Sequence, residues 1–397
     1  MSGPLSGMRV VEMGLWVAGP AAGGILADWG ADVIKVEPPG GDPFRRLFAN
    51  LAGLRAPGSP PFDLDNRGKR SVILDLTTDE GGAALSQILD TADVFLSNYR
   101  LASLERLGLG PDELVSRYPT LIACYVSGYG RRGPDRDRPG YDVGSFWARS
   151  GLAASMTPEG ADIPLMRGGM GDHVTGLAAA GGICAALVER ARTGRGQVVE
   201  TSLLRTGVYA IGWDTAIHQH FGKLAPPERR SATINPMMNP YRAGDRRWFW
   251  LLGLEADRHW PSTARACGHP EWIDDSRFGT AADRRRNAIE LISMLDAEFA
   301  GRPFSEWQER FDDAGVWWAP VQTTADVLGD AQAMAAGAFV DVSGLKTAGG
   351  EPAQSVATPV DFGGVSLNGQ PLRPVPQPGE HTVEVLAEVG ASPAAAG

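Results

Sequence analysis

The stretch Arg9-Val10-Val11-Glu12-Met13 decides the fold, together with the small-residue segment from Pro20 to Trp29 and the run Asp32-Val33-Ile34-Lys35-Val36. Two short apolar runs flank a segment that opens on proline, a favoured residue in the first turn of a helix. This order predicts a strand, a helix and a second strand. Such a unit implies parallel strands that are joined by a right-handed crossover.

The same alternation continues through the first half of the chain. Further strands and helices are predicted at 71–76, 79–89, 93–96, 112–117 and 121–126. We therefore expect an α/β fold with a large Rossmann-like domain and a mostly parallel sheet, whose ligands lie beyond the carboxyl ends of the strands. The turn from Gly14 to Pro20 lacks the GxGxxG pattern, so the sequence gives little support to a dinucleotide site.

The composition changes near Phe221, where proline-rich turns begin and tryptophan becomes frequent. We predict a large domain over 1–220, a smaller α+β domain over 221–325, and a C-terminal segment over 326–397 that returns to the large domain. Most tryptophans of the smaller domain are expected in its core, because such large rings are more often buried than used for ligand stacking.

The composition also limits the choice of partner and compartment. A formal net charge of -10 and a pI near 5.2 argue against nucleic acid or an anionic membrane as the main partner. The N-terminus has no signal-peptide pattern and no long apolar run appears, so we expect a cytoplasmic location. No CxxC spacing indicates a zinc site, and the rings of His218 and His220 would point in different directions on a helix. We expect no metal.

The run Met170-Gly171-Asp172-His173 places one carboxylate among glycines at the start of a helix of small residues. Glycines at 168, 169 and 171 let a bulky substrate approach the backbone and its N–H groups. If Asp172 caps this helix, the helix dipole favours a permanently ionised carboxylate. Such a group suits covalent acyl transfer, and the alternative interpretation is an ordinary helix cap.

A series of motifs in a fixed order carries a family resemblance. It begins at Val17-Ala18-Gly19-Pro20 and Asp28 to Glu37 and ends at Gly379-Glu380-His381-Thr382. Between them lie Asn66 to Ser71, Asn98-Tyr99-Arg100, Leu104 to Leu109, Gly140-Tyr141-Asp142, Gly171-Asp172, Gly194 to Val199 and Ala319-Pro320-Val321. Together these motifs resemble the superfamily of class III CoA-transferases and α-methylacyl-CoA racemases, over essentially the whole chain.

The resemblance implies a CoA-transferase that moves CoA from an acyl-CoA donor to a small carboxylic acid. In the transferases, the aspartate at the position of Asp172 attacks the thioester and forms an aspartyl anhydride. The released CoA thiolate then forms an aspartyl-CoA thioester, which the acceptor acid resolves. Backbone N–H groups beside Gly168, Gly169 and Gly171 are candidate donors to the oxyanion.

The resemblance also places CoA, the expected cofactor, across the first domain. The residues at contact positions are Val17, Ala18, Leu74, Asp75, Asn98, Tyr99, Arg106, Gly140, Tyr141 and Asp142. Val17 and Ala18 would border the pantetheine, and the residues at 74, 75, 98 and 99 would line the nucleotide end. Arg106 would reach a phosphate, which suits the forked guanidinium, or would be a solvated helix charge. The cluster at Arg67, Lys69 and Arg70 has the same two interpretations.

One position separates the two branches of the superfamily. Racemases use a His-Asp pair where this chain has Tyr141 and Asp142. A tyrosine is a poorer base than a histidine near neutral pH, so the sequence favours the transferase over an α-methylacyl-CoA racemase or epimerase. A non-catalytic CoA-binding subunit is the other alternative.

Two further expectations come from the resemblance and from departures within it. Relatives that handle oxalate or formate carry glutamine at the position of Val17, so a very small acid is not favoured. Trp16, Tyr141 and Met170 are candidate walls of an apolar acyl pocket. The resemblance finally implies a homodimer whose two chains interlock like linked rings.

Overall fold

The computed structural model describes residues 3–47, 59–347, 349–362, 371–392 and 395. The chain divides into two compact units. The large unit comprises Met1–Met156, Ile163–Leu224 and Ala335–Gly397. The small unit comprises Thr157–Asp162 and Ala225–Met334.

A six-stranded sheet forms the centre of the large unit. Its strands are β1 (Arg9–Met13), β2 (Asp32–Glu37), β3 (Arg70–Ile73), β4 (Val94–Ser97), β5 (Ile122–Ser127) and β6 (Val198–Ser202). All neighbours are parallel, in the order β3-β2-β1-β4-β5-β6, which confirms the expected α/β class. The order reverses between β1 and β4, and ligands of such sheets bind beyond the carboxyl ends of strands at this switch point.

Helices cover both faces of this sheet. They are α1 (Ala18–Asp28), α2 (Pro60–Asn66), α3 (Asp79–Leu89), α4 (Leu101–Arg106), α5 (Pro111–Arg117), α6 (Leu152–Ser155), α7 (Met170–Thr193), α8 (Leu203–Ala210) and α9 (Gly212–Phe221). Successive residues of β1 face opposite sides, so Val10 belongs to the core beneath α1 and α7, whereas Val11 belongs to the core on the other face. Burial on both faces explains the continuous apolar runs of the sequence.

Helix α7 lies unusually close to α1. A Cβ atom on Gly176 would stand 2.9 Å from the Cβ of Ala21 and 3.1 Å from the carbonyl oxygen of Ala18, so glycine permits the contact. Among the described residues, α7 is the one helix whose length and composition would suit a membrane span. Core helices pass the same test, and α7 packs against α1, β5 and β6.

Two boundaries differ from the sequence-based prediction. The strand expected over Ser71–Leu76 ends at Ile73, because the Asp75 carboxylate accepts hydrogen bonds from the backbone and hydroxyl of Thr77 and begins a turn. Thr78 then caps α3 by accepting a hydrogen bond from the Gly81 N–H at 3.1 Å. The helix expected from Pro20 begins two residues earlier, at Ala18.

The small unit holds an antiparallel sheet of β7 (Pro240–Arg242), β8 (Trp248–Leu251) and β9 (Trp318–Pro320). Its helices are α10 (Ala256–Cys267), α11 (Ala281–Arg286), α12 (Ala288–Phe299), α13 (Phe304–Ala314) and α14 (Thr324–Leu328), followed at its edge by α15 (Ala331–Ala335). Trp260, Trp272 and Trp307 are buried, but Trp248, Trp250 and Trp317 are exposed. The expected burial of most tryptophans therefore holds for only part of the set.

The C-terminal part of the chain adds the hairpin β10 (Phe339–Lys346) and β11 (Pro352–Val356) and the helix α16 (Thr382–Glu388). Helix α16 packs beside β3, where the Thr382 hydroxyl accepts a hydrogen bond from the Ile73 N–H at 3.0 Å. Arg70 at the start of β3 pairs with Glu384 and Glu388 of the same helix. These contacts attach the end of the chain to the edge of the parallel sheet.

Candidate active site

The turns after β1 and β4 meet at the switch point. The Asn98 side chain accepts a hydrogen bond from the Leu15 N–H at 3.0 Å and donates one to the Leu15 carbonyl at 2.7 Å. Trp16, the next residue, has a φ of 63°, a left-handed conformation that is costly for a bulky side chain. The two hydrogen bonds of Asn98 therefore hold a strained turn at the mouth of the crevice.

A fully buried group of charges lies beneath this turn. The Lys35 ammonium contacts Glu12 at 3.0 Å, Asp42 at 3.1 Å and the Gly14 carbonyl at 2.7 Å. Lys69 contacts the second Glu12 oxygen at 2.6 Å. Burial opposes the charge on Lys35, but the carboxylates of Glu12 and Asp42 outweigh it and raise its pKa. This ion network, formed by Glu12, Lys35, Asp42 and Lys69, supports the Trp16 turn.

Ion pairs also account for the basic cluster of Arg67, Lys69 and Arg70. Arg67 pairs with Asp28, Lys69 with Glu12, and Arg70 with Asp32 and the acidic residues of α16. All three cations are largely buried and already paired. Neither interpretation of this cluster therefore holds. Its side chains are not solvated surface charges, and none is unpaired and available to bind a phosphate.

Asp172 lies in the first turn of α7, but it is not the helix cap. Gly169 is the cap, with a left-handed φ of 86°, and Asp172 is the third helical residue. Burial and the neighbouring Asp142 carboxylate raise the pKa of Asp172 to about 7, although His173 acts in the opposite direction. The expectation of a capping, permanently ionised carboxylate is therefore wrong, because Gly169 is the cap and because burial and the Asp142 carboxylate disfavour the charge of Asp172.

Asp142 holds the glycine loop that precedes α7. One oxygen of its carboxylate accepts a hydrogen bond from the Gly169 N–H at 2.8 Å, and the other accepts one from the Val143 N–H at 2.8 Å. The second bond caps the π-helix Val143–Ala148. The Gly169 N–H is thereby occupied and is not a free donor to an oxyanion.

Other backbone donors remain beside Asp172. Within the described residues, the N–H groups of Met170, Gly171 and Asp172 have no hydrogen-bond partner, as is usual in the first turn of a helix. A Cβ atom on Gly171 would stand 2.5 Å from Cγ of Phe146 in the π-helix. Glycine at this position therefore lets the first turn of α7 lie directly against that segment.

A cavity of about 230 Å³, here called the Asp172 cavity, opens at the switch point. Its walls bring together seven of the site residues expected from the sequence: Val17, Ala18, Asn98, Tyr99, Gly140, Tyr141 and Asp172. The ring of Trp16 lies edge-on to that of Tyr141, with centroids 6.1 Å apart. Burial raises the pKa of Tyr99 to about 12, so its hydroxyl stays protonated at neutral pH.

Four expected contact residues lie outside this cavity. Leu74 is fully buried in the core, so its side chain offers no surface to a ligand. Asp75 forms the turn before α3, and Asp142 is committed to two backbone N–H groups. Arg106 is exposed on α4, where it donates to the Ala102 carbonyl and the Ser103 hydroxyl, and it lines a separate depression.

Four arginines of the Asp172 cavity were not expected from the sequence: Arg100, Arg131, Arg136 and Arg138. Within the described residues the Arg100 side chain makes no hydrogen bond or ion pair, whereas the other three have acidic neighbours. The signal that could have found three of them is the run of arginines between Gly130 and Gly140. Among the described residues, no group of three or more His, Cys, Asp or Glu side chains is placed to hold a metal ion.

This fold and this cavity agree with the comparison with known families. The chain belongs to CoA-transferase family III, whose family model matches residues 5–382. The resemblance inferred from the sequence motifs is thereby confirmed, and the chain is an enzyme that acts on CoA thioesters.

Characterised relatives and solved structures match over almost the whole chain. The (R)-2-hydroxy-4-methylpentanoate CoA-transferase of Clostridioides difficile is 32% identical, with 97% of this chain and 95% of the relative covered. The cinnamoyl-CoA:phenyllactate CoA-transferase of Clostridium sporogenes is 32% identical, with 97% and 93% covered. The crystal structure of a CAIB/BAIF family protein from Brucella suis superposes with a TM-score of 0.84 at 28% identity, covering 98% of this chain and 100% of that chain.

Proposed function

We propose that this enzyme transfers CoA from an acyl-CoA to a carboxylic acid, with Asp172 as the nucleophile. The observation that carries the proposal is a half-buried carboxylate with a pKa raised to about 7 at the wall of the Asp172 cavity. A carboxylate with a raised pKa is more basic than an ordinary aspartate, and about half of it is ionised at neutral pH. Asp172 would therefore be a stronger nucleophile than an ordinary aspartate and would still be partly ionised at neutral pH.

The proposed reaction has three steps. An Asp172 oxygen bonds to the thioester carbonyl carbon and the C–S bond breaks, which leaves an acyl-aspartyl anhydride and the CoA thiolate. The thiolate attacks the aspartyl carbonyl, so that the first carboxylate leaves and an aspartyl-CoA thioester forms. The acceptor carboxylate then attacks this thioester, and the two steps run in reverse to release the new acyl-CoA and free Asp172.

Backbone groups next to Asp172 suit the charge that develops in these steps. Each tetrahedral intermediate carries an oxyanion, and free N–H donors near it stabilise the transition state by roughly 3 kcal/mol each. The N–H groups of Met170, Gly171 and Asp172 are the available donors. Asp142 would contribute indirectly, as a positioning residue that holds the Gly169 backbone.

The other end of the Asp172 cavity suits the coenzyme. Guanidinium groups bind phosphate oxygens through pairs of N–H groups, and four arginines line this end. Arg100 has no acidic partner within the described residues, and Arg131, Arg136 and Arg138 keep further N–H groups beyond those that contact their acidic neighbours. Trp16 and Tyr141 form an aromatic wall on the same cavity. We propose that the arginines hold the CoA phosphates and that the aromatic wall helps to exclude water from the anhydride.

One observation favours a second function. A carboxyl group with a pKa near 7 also suits proton transfer at the carbon beside a thioester, as in a racemase. That reaction needs a second proton carrier on the opposite face, and Tyr141 stands there in place of the histidine of the racemases. Incubation with a 2-methylacyl-CoA in deuterated water separates the two functions, because a transferase leaves the α-proton in place and a racemase exchanges it.

The intermediates give the direct test of the transferase. Incubation with an acyl-CoA should leave a covalent adduct on Asp172 that hydroxylamine releases, and mass spectrometry of peptides locates it. Asp172→Asn keeps the size of the side chain but should lower transfer by several powers of ten while it still binds CoA. An active Asp172→Asn enzyme would exclude the covalent route, and an unreactive wild-type protein that binds CoA would indicate a non-catalytic subunit.

We also propose a homodimer, interlocked as the family resemblance implies. Large apolar side chains are unusually exposed on the helices α8 and α9, where Tyr209 is 87% and Trp213 is 81% accessible. Patches of this kind mark interaction surfaces. Light scattering should give the mass of two chains at micromolar concentration, and a stable folded monomer would contradict the proposal.

A further inference from the structure

A second cavity lies next to the first turn of α7. This His173 cavity has a volume of about 320 Å³, and residues from α1, α2, α7 and the end of β11 line it. Asp172 lines the first cavity, and His173, the next residue in the chain, lines the second. His173 is also close enough to the Asp172 carboxyl group to act on its charge, so the second cavity lies near that group.

A buried carboxylate orients the histidine of this cavity. Nε2 of His173 lies 3.0 Å from Oδ1 of Asp65, and Asp65 is only 4% exposed. The hydrogen bond to Asp65 raises the pKa of His173, which favours the imidazolium. Within the described residues Nδ1 of His173 has no partner, so its N–H can donate to a ligand. The remaining Asp65 oxygen is buried and has no hydrogen-bond partner among the residues that the structure describes.

The other charges of the cavity are already neutralised. Arg67 donates to both oxygens of Asp28 and to the Ser355 hydroxyl. These hydrogen bonds use three of the five N–H groups of Arg67 and pair its charge with Asp28, whereas Nδ1 of His173 has no hydrogen-bond partner within the described residues.

The rest of the wall is apolar except for Thr358. Its side chains and backbone surfaces come from Ala21, Gly24, Ile25, Leu64, Val174, Leu177, Val356, Ala357 and Pro359. Such a wall does not compete for hydrogen bonds and gains free energy by removing hydrocarbon from water. A histidine donor at the edge of a mostly apolar cavity is the arrangement that orients a ligand with one anionic end.

We propose that the His173 cavity is the subsite for the carboxylic acid substrate, and that it selects acids with a short apolar body such as a branched alkyl or aryl group. The acid places its carboxylate on Nδ1–H of His173, beside Asp172, and its body against Ile25, Leu64 and Leu177. This inference rests on the proposed transferase function and names the class of acid that the enzyme accepts. Small polar acids gain little from the apolar wall.

Direct binding tests the proposal without relying on turnover. Calorimetric titration of the full-length protein with 3-phenylpropanoate should show binding at least about tenfold tighter than that of acetate, because the ring fills the apolar cavity. His173→Gln should weaken binding of 3-phenylpropanoate by at least about tenfold, because the charged donor is lost. Coenzyme A should bind this variant as it binds the wild type.

A cavity-filling variant separates the apolar wall from the charge. Leu177→Trp should weaken the binding of 3-phenylpropanoate by at least about tenfold and leave the binding of acetate unchanged. Val188→Trp is the matched control, since Val188 lies on the same helix, is exposed and does not line the cavity. It should leave both acids unaffected.

Three outcomes would overturn the proposal. Equal binding of 3-phenylpropanoate to wild type and Leu177→Trp would show that the ring lies elsewhere. Equal binding of 3-phenylpropanoate to wild type and His173→Gln would show that the carboxylate of the acid does not bind at His173. A Leu177→Trp protein that changes its mass in light scattering, with acid binding intact, would assign the cavity to a second copy of the chain. None of these results alters the adduct expected on Asp172, so failure of the subsite and failure of the transferase are distinguishable.

Discussion

Two groups of buried charge in the large unit differ in how their charges are balanced. In the ion network, two lysines face Glu12 and Asp42 at distances of 2.6 to 3.1 Å. Around Asp172, the carboxyl groups of Asp65 and Asp142 are nearby, and the one titratable cation that acts on Asp172 is His173. The ion network is fully buried and has a partner for nearly every charge, whereas Asp172 is half-buried and His173 is exposed.

The difference shows that burial of a carboxyl group has opposite outcomes for its pKa, depending on the charges around it. Burial disfavours charge in both regions. In the ion network the two lysines overcome this effect and lower the pKa of Glu12, and they also donate to the backbone carbonyls of Gly14 and Pro20. At Asp172 the effect of His173 is smaller than that of burial and of the Asp142 carboxylate, so the pKa rises to about 7. Paired charges thus keep Glu12 ionised, and incomplete pairing gives Asp172 the raised pKa on which the proposed nucleophilic role rests.

The largest stability effect should come from breaking the balanced region. Lys35→Met leaves Glu12 and Asp42 buried with one cation fewer, which should cost about 3–5 kcal/mol in the free energy of unfolding. Urea denaturation measures it. Arg192→Ala, which removes an exposed ion pair with Glu189, is the control and should change little. If both variants unfold alike, the network does not support the fold.

A smaller effect should come from the packing around the unbalanced region. Gly171→Ala forces its Cβ atom against Phe146, which should cost about 1–3 kcal/mol and displace Asp172 from its productive position. Gly181→Ala on the same helix is the matched control, because nothing lies within 4 Å of the added atom. Chemical denaturation and transfer rates measure both effects. Equal stability and rate in the two variants would show that close packing at 171 is unnecessary.

The smallest and most specific effect should appear in the pH dependence. Activity should fall as the pH drops through about 7, because protonated Asp172 is no nucleophile. Asp142→Asn removes a charge that raises the pKa of Asp172, so the midpoint of kcat/KM should move to lower pH. The rate itself should also fall, since asparagine cannot accept both backbone hydrogen bonds. An unmoved midpoint would mean that burial alone sets the pKa.

The same group links stability to pH in a defined direction. The pKa of Asp172 is raised from 3.8 to about 7 in the folded protein, so between these values the folded state holds a proton that the unfolded chain has lost. Stability from this group is therefore present at low pH and is lost as the pH rises through the window. The Tm of Asp172→Asn relative to wild type should increase over the same range, as thermal unfolding can show.

Much of the large unit was predictable because its pattern is local. The apolar runs at 9–13 and 32–36 and the helix at 79–89 were recognised within a residue or two, since strands buried on both faces leave continuous apolar sequence. The side chain of Leu74 was misjudged, because a strand position near the crevice does not reveal which face is covered. The exposure of several tryptophans in the small unit could not be predicted for the same reason.

The sequence by itself determined the family, the α/β class, and the carboxylate at 172 among its glycines, because these depend on residue order and spacing. Only the tertiary structure decided how that carboxylate behaves. The pKa of Asp172, the commitment of Asp142 to Gly169 and the pairing of Asp65 with His173 join residues that lie 27 to 108 positions apart or depend on burial. Burial and the distance between residues that are far apart in the chain depend on the folded structure, and the order of residues does not show them.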